Sequence, residues 1–278
     1  MAILLMAMTA TAFAQSDVTI NLANTGADSG PGWTRDSFGL ITVTGDVTIT
    51  GNGGADANAR RIIVPAASVV NITLDNAVMS LPGLMGAAPA LRLQQGAVVN
   101  LTLTGTNSLS TDCATCAAIE VPEGASLTIG GAGSLTANAR ANGSAAGIGS
   151  SYADGRRNVG AITINSGTIT ANGGGGANAG AGIGSVGGNQ AIGGSITISG
   201  GTVIANGGSG SYSGGAGIGN GSYGSYSGGG NTVIYGSANV TATGGTGAAG
   251  IGGGNVANVT GILHGSIIIA GSANVTAT

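Results

Sequence analysis

The chain has 278 residues, of which 58 are glycine and 42% are hydrophobic, while only 7 are Lys or Arg and 10 are Asp or Glu. Disordered chains couple low hydrophobicity to high charge, and collagen needs a strict G-X-Y period, so this composition excludes both. A net charge of −3, with no lysine and no basic stripe, excludes a nucleic-acid surface.

Taken in chain order, Met1 to Ala14 are apolar and end in Ala12-Phe13-Ala14, the small-x-small pattern of a secretory leader, with cleavage expected before Gln15. The stretch is too short to span a bilayer, so no transmembrane segment is expected. Its missing basic n-region places the true start upstream of Met1; the alternative reading is a buried first strand. Residues 15–40 are expected to form a cap or leading segment. Residues 41–145 read as shorter-period β repeats opened by Ile41-Thr42-Val43, and 146–278 as repeats with longer Gly-rich loops.

Repeats decide the fold class. Gly147-Ile148-Gly149, Gly182-Ile183-Gly184, Gly217-Ile218-Gly219 and Gly250-Ile251-Gly252 recur at about 35-residue steps, each preceded by Ala and followed by a Gly/Ser-rich loop. After each loop come two further short apolar runs, such as Ile162-Thr163-Ile164 with Thr168-Ile169-Thr170-Ala171, then Ile196-Thr197-Ile198 with Thr202-Val203-Ile204-Ala205. Later copies are Val233-Ile234-Tyr235 with Asn239-Val240-Thr241-Ala242, and Ile268-Ile269-Ala270 with Asn274-Val275-Thr276-Ala277. Upstream, Arg61-Ile62-Ile63-Val64, Ala90-Leu91-Arg92-Leu93 and Ala118-Ile119-Glu120-Val121 occupy the same place at about 29-residue steps. The expected fold is all-β, a right-handed parallel β-helix (β-solenoid) of about eight coils, three short strands to a coil and about 40 Å long.

Strand alternation points Ile162, Ile164, Ile169 and Ala171 inward, onto Ile196, Ile198, Val203 and Ala205. Thr163, Thr168 and Thr170 then face out. Asn138, Asn172 and Asn206 recur where the chain turns, either as a side-chain amide ladder or as turn residues tolerant of left-handed geometry. Thr278 falls in mid-coil without a polar cap, so the chain is expected to continue.

Cys113 and Cys116 are the two cysteines. In an exported chain an even count favours a disulfide, here across a very small loop. A redox CxxC wants a helix that is not signalled, and zinc wants two more ligands when His264 is the lone histidine. Residues 155–278 contain no Asp, Glu, Cys or Lys, which leaves that half without a general acid and base pair. Upstream, Asp36, Asp46, Asp56, Asp75, Asp112, Glu120 and Glu123 are spread over different coils. Glu120 and Glu123 read as a solvated edge and a Pro-Glu-Gly turn rather than a catalytic dyad. Gly173 to Gly176 lack the Lys-Ser/Thr and helix of a phosphate loop and read as a turn. No metal and no cofactor is expected.

The segments Gly105-Thr106-Asn107-Ser108-Leu109, Ala118-Ile119-Glu120-Val121-Pro122-Glu123-Gly124-Ala125-Ser126-Leu127-Thr128-Ile129, and a GIG triplet followed by Ile196-Thr197-Ile198-Ser199-Gly200-Gly201-Thr202-Val203-Ile204-Ala205 carry a family resemblance. Over residues 40–278 the chain resembles the β-helical carbohydrate-binding-domain proteins of clostridia and the Gly-rich adhesin-like repeats of gut and environmental bacteria. The resemblance implies a right-handed parallel β-helix, shaped like the polysaccharide lyases, exported and able to bind polysaccharide. Clostridial members are associated with calcium sites. This sequence departs from them there, since no Asp or Glu follows Asp154 and calcium needs several oxygen ligands.

Tyr152, Tyr212, Tyr223 and Tyr226 fall in the Gly/Ser loops beside the GIG strand. Tyrosine on such loops supplies amphipathic contact area, so these four are the candidate carbohydrate-binding residues, with packing against the coil as the alternative. Ser211, Ser213, Asn220 and Ser222 are the expected partners for sugar hydroxyls. The functional expectation is a secreted or cell-surface adhesin-like module for polysaccharide or a surface glycan, without enzymatic activity. A passive stalk, a polysaccharide lyase and an ice-binding surface are the alternatives. A cluster of acids and Arg on one upstream face would favour the lyase. Ice binding ranks last because the outward Thr columns break, Thr163 and Thr197 giving way to Ile234 and Ile269, Thr168 and Thr202 to Asn239 and Asn274, and Thr170 to Ile204.

Overall fold

A computed structural model describes residues 18–54, 60–82, 88–152, 158–188, 191–211, 213–222, 230–255 and 265–278. The leader stretch, Asp56, Asp154 and His264 lie outside them. The described residues form strands and no helix, arranged as two long sheets. In the first, of ten strands, the order is Asp28–Gly30, Trp33–Arg35, Leu40–Val43, Arg61–Val64, Leu91–Leu93, Ile119–Glu120, Ile148–Gly149, Ile183–Gly184, Ile218–Gly219 and Ile251–Gly252. From Leu40–Val43 onward every pairing in it is parallel.

The second sheet, of 15 strands, consists of two parallel stacks joined by one long strand, Val69–Leu81. The first half of that strand pairs with Val98–Thr104 and the second half with Thr106–Thr111. One stack then runs through Ser126–Gly131, Ala161–Ile164, Ile196–Ile198 and Thr232–Ile234 to Ile267–Ile269. The other runs through Ser134–Asn138, Thr168–Asn172, Thr202–Asn206 and Asn239–Thr243 to Asn274–Ala277. Each downstream repeat thus supplies one strand to the first sheet and two to the second.

The side chains that alternation sends inward form the core. Ile41, Ile62, Leu91, Ile119, Ile148, Ile183, Ile218 and Ile251 are register partners in one file, and all but the last are 0–1% exposed. Ile162, Ile164, Ile169 and Ala171 meet Ile196, Ile198, Val203 and Ala205, all fully buried. Full burial of one such aliphatic side chain contributes about 1.5–3 kcal/mol, and here the same contribution recurs with every repeat.

The GIG glycines follow from close backbone approach. Gly184 has φ +138°, and a Cβ placed on it would strike the carbonyl oxygen of Gly219 in the next repeat. Gly182 has no room on its other side, where a Cβ would lie 2.6 Å from the Asn206 nitrogen. Only glycine lets this strand stack at sheet spacing.

Of the two readings of the recurrent asparagines, the ladder is what forms. Asn172 Nδ2 donates to Asn138 Oδ1 at 2.7 Å, and Asn206 Nδ2 donates to Asn172 Oδ1 at 2.8 Å. Shorter ladders that the sequence reading missed run Asp46, Asn71 and Asn100, and Asn239 with Asn274. In the Asn138–Asn172–Asn206 ladder half-buried amides satisfy one another without water, whereas the Asn239–Asn274 pair is exposed.

Two expectations need correction. Ile41-Thr42-Val43 does not open the stack, because Thr19–Asn21 pairs in parallel with Val47–Asn52 ahead of it and an antiparallel hairpin, Asp28–Gly30 with Trp33–Arg35, covers the edge of Leu40–Val43. The later copies were also aligned one residue out. Ile196 pairs with Thr232, and Thr197 with Val233, so Thr163 and Thr197 lead to Val233 and Ile268 rather than to Ile234 and Ile269. A one-residue slip exchanges the two faces of a strand, and burial decides the phase: Ile234 is 0% exposed and Tyr235 36%. Thr232 goes inward where Ile would be expected, and the residue is 2% exposed.

Two substitutions test this framework. Gly184→Ala combines a strained φ with a backbone clash and should lower stability by at least about 3 kcal/mol, measured by urea unfolding. Asn172→Ala breaks both bonds of the central ladder amide and should cost about 1–3 kcal/mol while leaving the circular dichroism spectrum β-dominated.

Candidate functional site

The loops that follow the GIG strands are tied down by side chains, and these ties decide what they can offer a ligand. Ser150 Oγ accepts the Val186 N–H at 2.9 Å, and one repeat later Ser185 Oγ accepts the Gly221 N–H at 2.9 Å. At the next equivalent position Asn220 Oδ1 accepts the Gly193 N–H at 2.8 Å. Ser213 Oγ donates to the Ala177 carbonyl at 2.6 Å. Ser213, Asn220 and Ser222 are therefore buried and do not offer their groups to a sugar, contrary to expectation; Ser211 is exposed. Asn220, like Ser150 and Ser185, serves as internal acceptor for a loop N–H, Ser213 satisfies a carbonyl, and the buried Ser222 hydroxyl has no hydrogen-bond partner among the described residues.

Tyr152 is the described member of the tyrosine set. It follows the Ile148–Gly149 strand, its N–H donates to the Thr115 carbonyl at 2.7 Å, and its side chain is 41% exposed. The ring rests beside Gly188, where a Cβ would lie 3.5 Å from Tyr152 Cε2. One edge of the ring thus lies near the Gly188 backbone, and the residue as a whole is exposed. Tyr212, Tyr223 and Tyr226 lie outside the described residues. Tyr235, which the set did not include, is 36% exposed beyond the Thr232–Ile234 strand.

A second surface lies upstream, on the outer face of the first sheet. Downstream that face carries Gly149, Gly184 and Gly219; upstream the same file carries Ile63, Arg92 and Glu120. Arg92 Nε sits 3.1 Å from Glu120 Oε2, with side chains 26% and 2% exposed. Glu120 is hence not on a solvated edge: its carboxylate is buried and ion-paired. The alignment of Ala90-Leu91-Arg92-Leu93 with Ala118-Ile119-Glu120-Val121 already implied that the two would meet, and that signal was passed over. Glu123 does sit in an exposed turn, closed by the Ala125 N–H to the Pro122 carbonyl at 2.9 Å, and it accepts from Asn158 Nδ2 at 3.0 Å. Beside Arg92, Leu40, Arg61, Ile62, Ile63, Ala88 and Pro89 complete the lining of a cleft of about 110 Å³.

Two further arginines meet at the N-terminal end. Arg35 Nη1 donates to the Asn24 carbonyl at 2.6 Å, and Arg60 Nη2 and Nε donate to the same oxygen at 2.8 and 3.1 Å. Both residues are 3% exposed, and Arg35 also lies over the Trp33 ring, 5.4 Å from its centroid. Burial holds the Arg35 guanidinium below the ordinary arginine range; Asp28, 3.6 Å away, opposes that shift and the Arg60 charge adds to it. This cluster anchors the segment that precedes the hairpin.

Cys113 and Cys116 are joined as a disulfide, Cα atoms 5.3 Å apart, in the link between Thr106–Thr111 and Ile119–Glu120. Among the described residues no three His, Cys, Asp or Glu side chains are grouped as a metal site would require, and no helix is long and apolar enough to cross a membrane. No family model, curated protein or solved structure matches the chain.

The buried pair yields a coupling experiment. Arg92→Met should lower stability by about 2–3 kcal/mol by removing a partner of the buried carboxylate, and adding Glu120→Met should recover most of that loss. Unfolding free energies of the two single variants and the double variant give the coupling.

Proposed function

We propose that the chain is an exported, surface-displayed module that binds polysaccharide, built as a right-handed parallel β-helix of about eight coils. Three strands per repeat, stacked in register in the same direction, are what such a helix requires, and parallel crossovers in a sheet are overwhelmingly right-handed. The leader pattern and the bonded cysteine pair support an oxidising, extracellular setting.

The observation that carries the binding reading is Tyr152. An exposed aromatic ring whose backbone N–H is bonded to the Thr115 carbonyl and whose edge lies near Gly188 suits the CH face of a pyranose. In sequence Tyr212 precedes the Gly217-Ile218-Gly219 triplet and Tyr223 and Tyr226 follow it, so a long glycan meeting these rings and Tyr152 in turn would gain avidity from individually weak contacts. The exposed Ser211 and the absence of charged residues after Arg157 favour glycan hydroxyls over a charged protein partner. The Thr files lead into Val233, Ile268 and Ile204, which keeps an ordered-water surface the weaker reading.

One observation favours a second reading. Arg61, Arg92 and Glu120 do gather on one upstream face, as a polysaccharide lyase would need. Against it, Glu120 is 1% exposed and a base must reach the proton it removes. Absence of unsaturated product from polygalacturonate or alginate would support a binding role; turnover lost in Glu120→Gln would reverse it.

Retention on immobilised polysaccharides tests the binding reading. The quadruple variant Tyr152→Ala, Tyr212→Ala, Tyr223→Ala and Tyr226→Ala should lose retention with a nearly unchanged thermal transition. Retention equal to the parent's would show that the tyrosines are the wrong surface.

A further inference from the structure

We infer that the upstream cleft is a subsite for an anionic sugar, one whose ring carries a carboxylate, so that the polysaccharide of the preceding section, on which this inference rests, is an acidic one. The cleft has an apolar and a cationic part. Leu40, Ile63, Ala88 and Pro89 supply aliphatic walls, and Arg61 and Arg92 are the two cationic residues that line the same hollow. Leu40 with Arg61, and Ile63 with Arg92, are register partners on adjacent parallel strands, so the walls and the cations are held by the sheet itself.

The two arginines differ in how they are engaged. Arg92 is ion-paired with the buried Glu120, which balances its charge and fixes its direction. The Arg61 side chain makes no hydrogen bond or ion pair with any described residue, although its backbone N–H is bonded to the Gly39 carbonyl at 3.4 Å. Its neighbour Arg60 points elsewhere, to Asn24 and Gly53. The nearest acid in sequence to the cleft wall, Asp36, accepts the N–H groups of Phe38 and Leu40 at 2.9 Å and closes that turn. A half-buried fork of donors with no partner among the described residues, in an aliphatic hollow, matches a carboxylate on a pyranose: the fork takes the two oxygens and the walls take the CH face. At about 110 Å³ the hollow admits the carboxylate-bearing edge of one sugar, leaving the chain to run on across the surface.

Calorimetric titration of the full chain with an oligogalacturonate, its methyl ester, a neutral cello-oligosaccharide and sodium sulfate tests the assignment. The oligogalacturonate should bind at least about tenfold more tightly than the ester, and Arg61→Gln should remove about tenfold to a hundredfold of that affinity, with Arg61→Lys restoring only part of it. Should Arg61→Gln fail to fold, Leu40→Glu at the rim of the cleft should repel the acidic oligomer while leaving any retention on neutral polysaccharide intact. Equal binding of acid and ester, parent-like affinity in Arg61→Gln, or sulfate competing as well as the oligomer would overturn the subsite. Retention of neutral polysaccharide alone by the parent chain would sink this inference and leave the binding module standing; retention of neither kind would sink both.

Discussion

The structure rests on one constraint: successive repeats must lie in parallel at sheet spacing, backbone on backbone, along three files of strands at once. That spacing is fixed by hydrogen bonding, so nothing in a strand may hold its neighbour away. Where side chains interlock inward, aliphatic residues fill the gap. Where backbones meet directly, as between Gly184 and Gly219, even a methyl group is too much. The scarcity of charge and of aromatic residues follows from the same rule, because a repeated position must tolerate its own copy above and below.

Stacking also explains where chemistry is possible. Downstream, the outward positions of the first sheet are glycines lying under loops that Ser150, Ser185 and Asn220 stitch down. Upstream, where repeats are shorter, the same positions carry Ile63, Arg92 and Glu120. Long loops and functional side chains on that face thus divide the chain between them. Among the described residues the downstream half exposes Tyr152 and Tyr235, and the upstream half places Arg61 and Arg92 in a hollow.

Most of the architecture was legible in the sequence because period-2 alternation and the recurring GIG triplet report backbone position directly. The inward files of Ile162, Ile169 and Ile183 could be written down from spacing alone. The phase of Thr232–Ile234 could not, since Thr, Val and Ile are all good strand residues and only burial tells which of them faces in. The roles of Ser213 and Asn220 were hidden for a related reason: a loop serine looks the same in sequence whether it meets water or an orphaned N–H. Glu120 reads as solvated from its residue type, whereas the register sets it beside Arg92, where its carboxylate is buried and ion-paired. Trp33 and the antiparallel hairpin carry no repeat signal at all, and so the covered edge at the N-terminal end was not foreseen.

The amide ladders have a direction. Asn71, Asn100, Asn172, Asn206 and Asn274 each donate to the residue one repeat earlier, so their dipoles all point the same way along the stack. A row of aligned dipoles reads the same after any whole number of steps and is broken by a fraction of one. Evolution of length in this chain is therefore quantised: a complete repeat can be gained or lost with donor still facing acceptor, whereas an indel inside a strand breaks every ladder that crosses it. The loops after the GIG strands are bound by the same rule where Ser150 and Ser185 tie one repeat to the next.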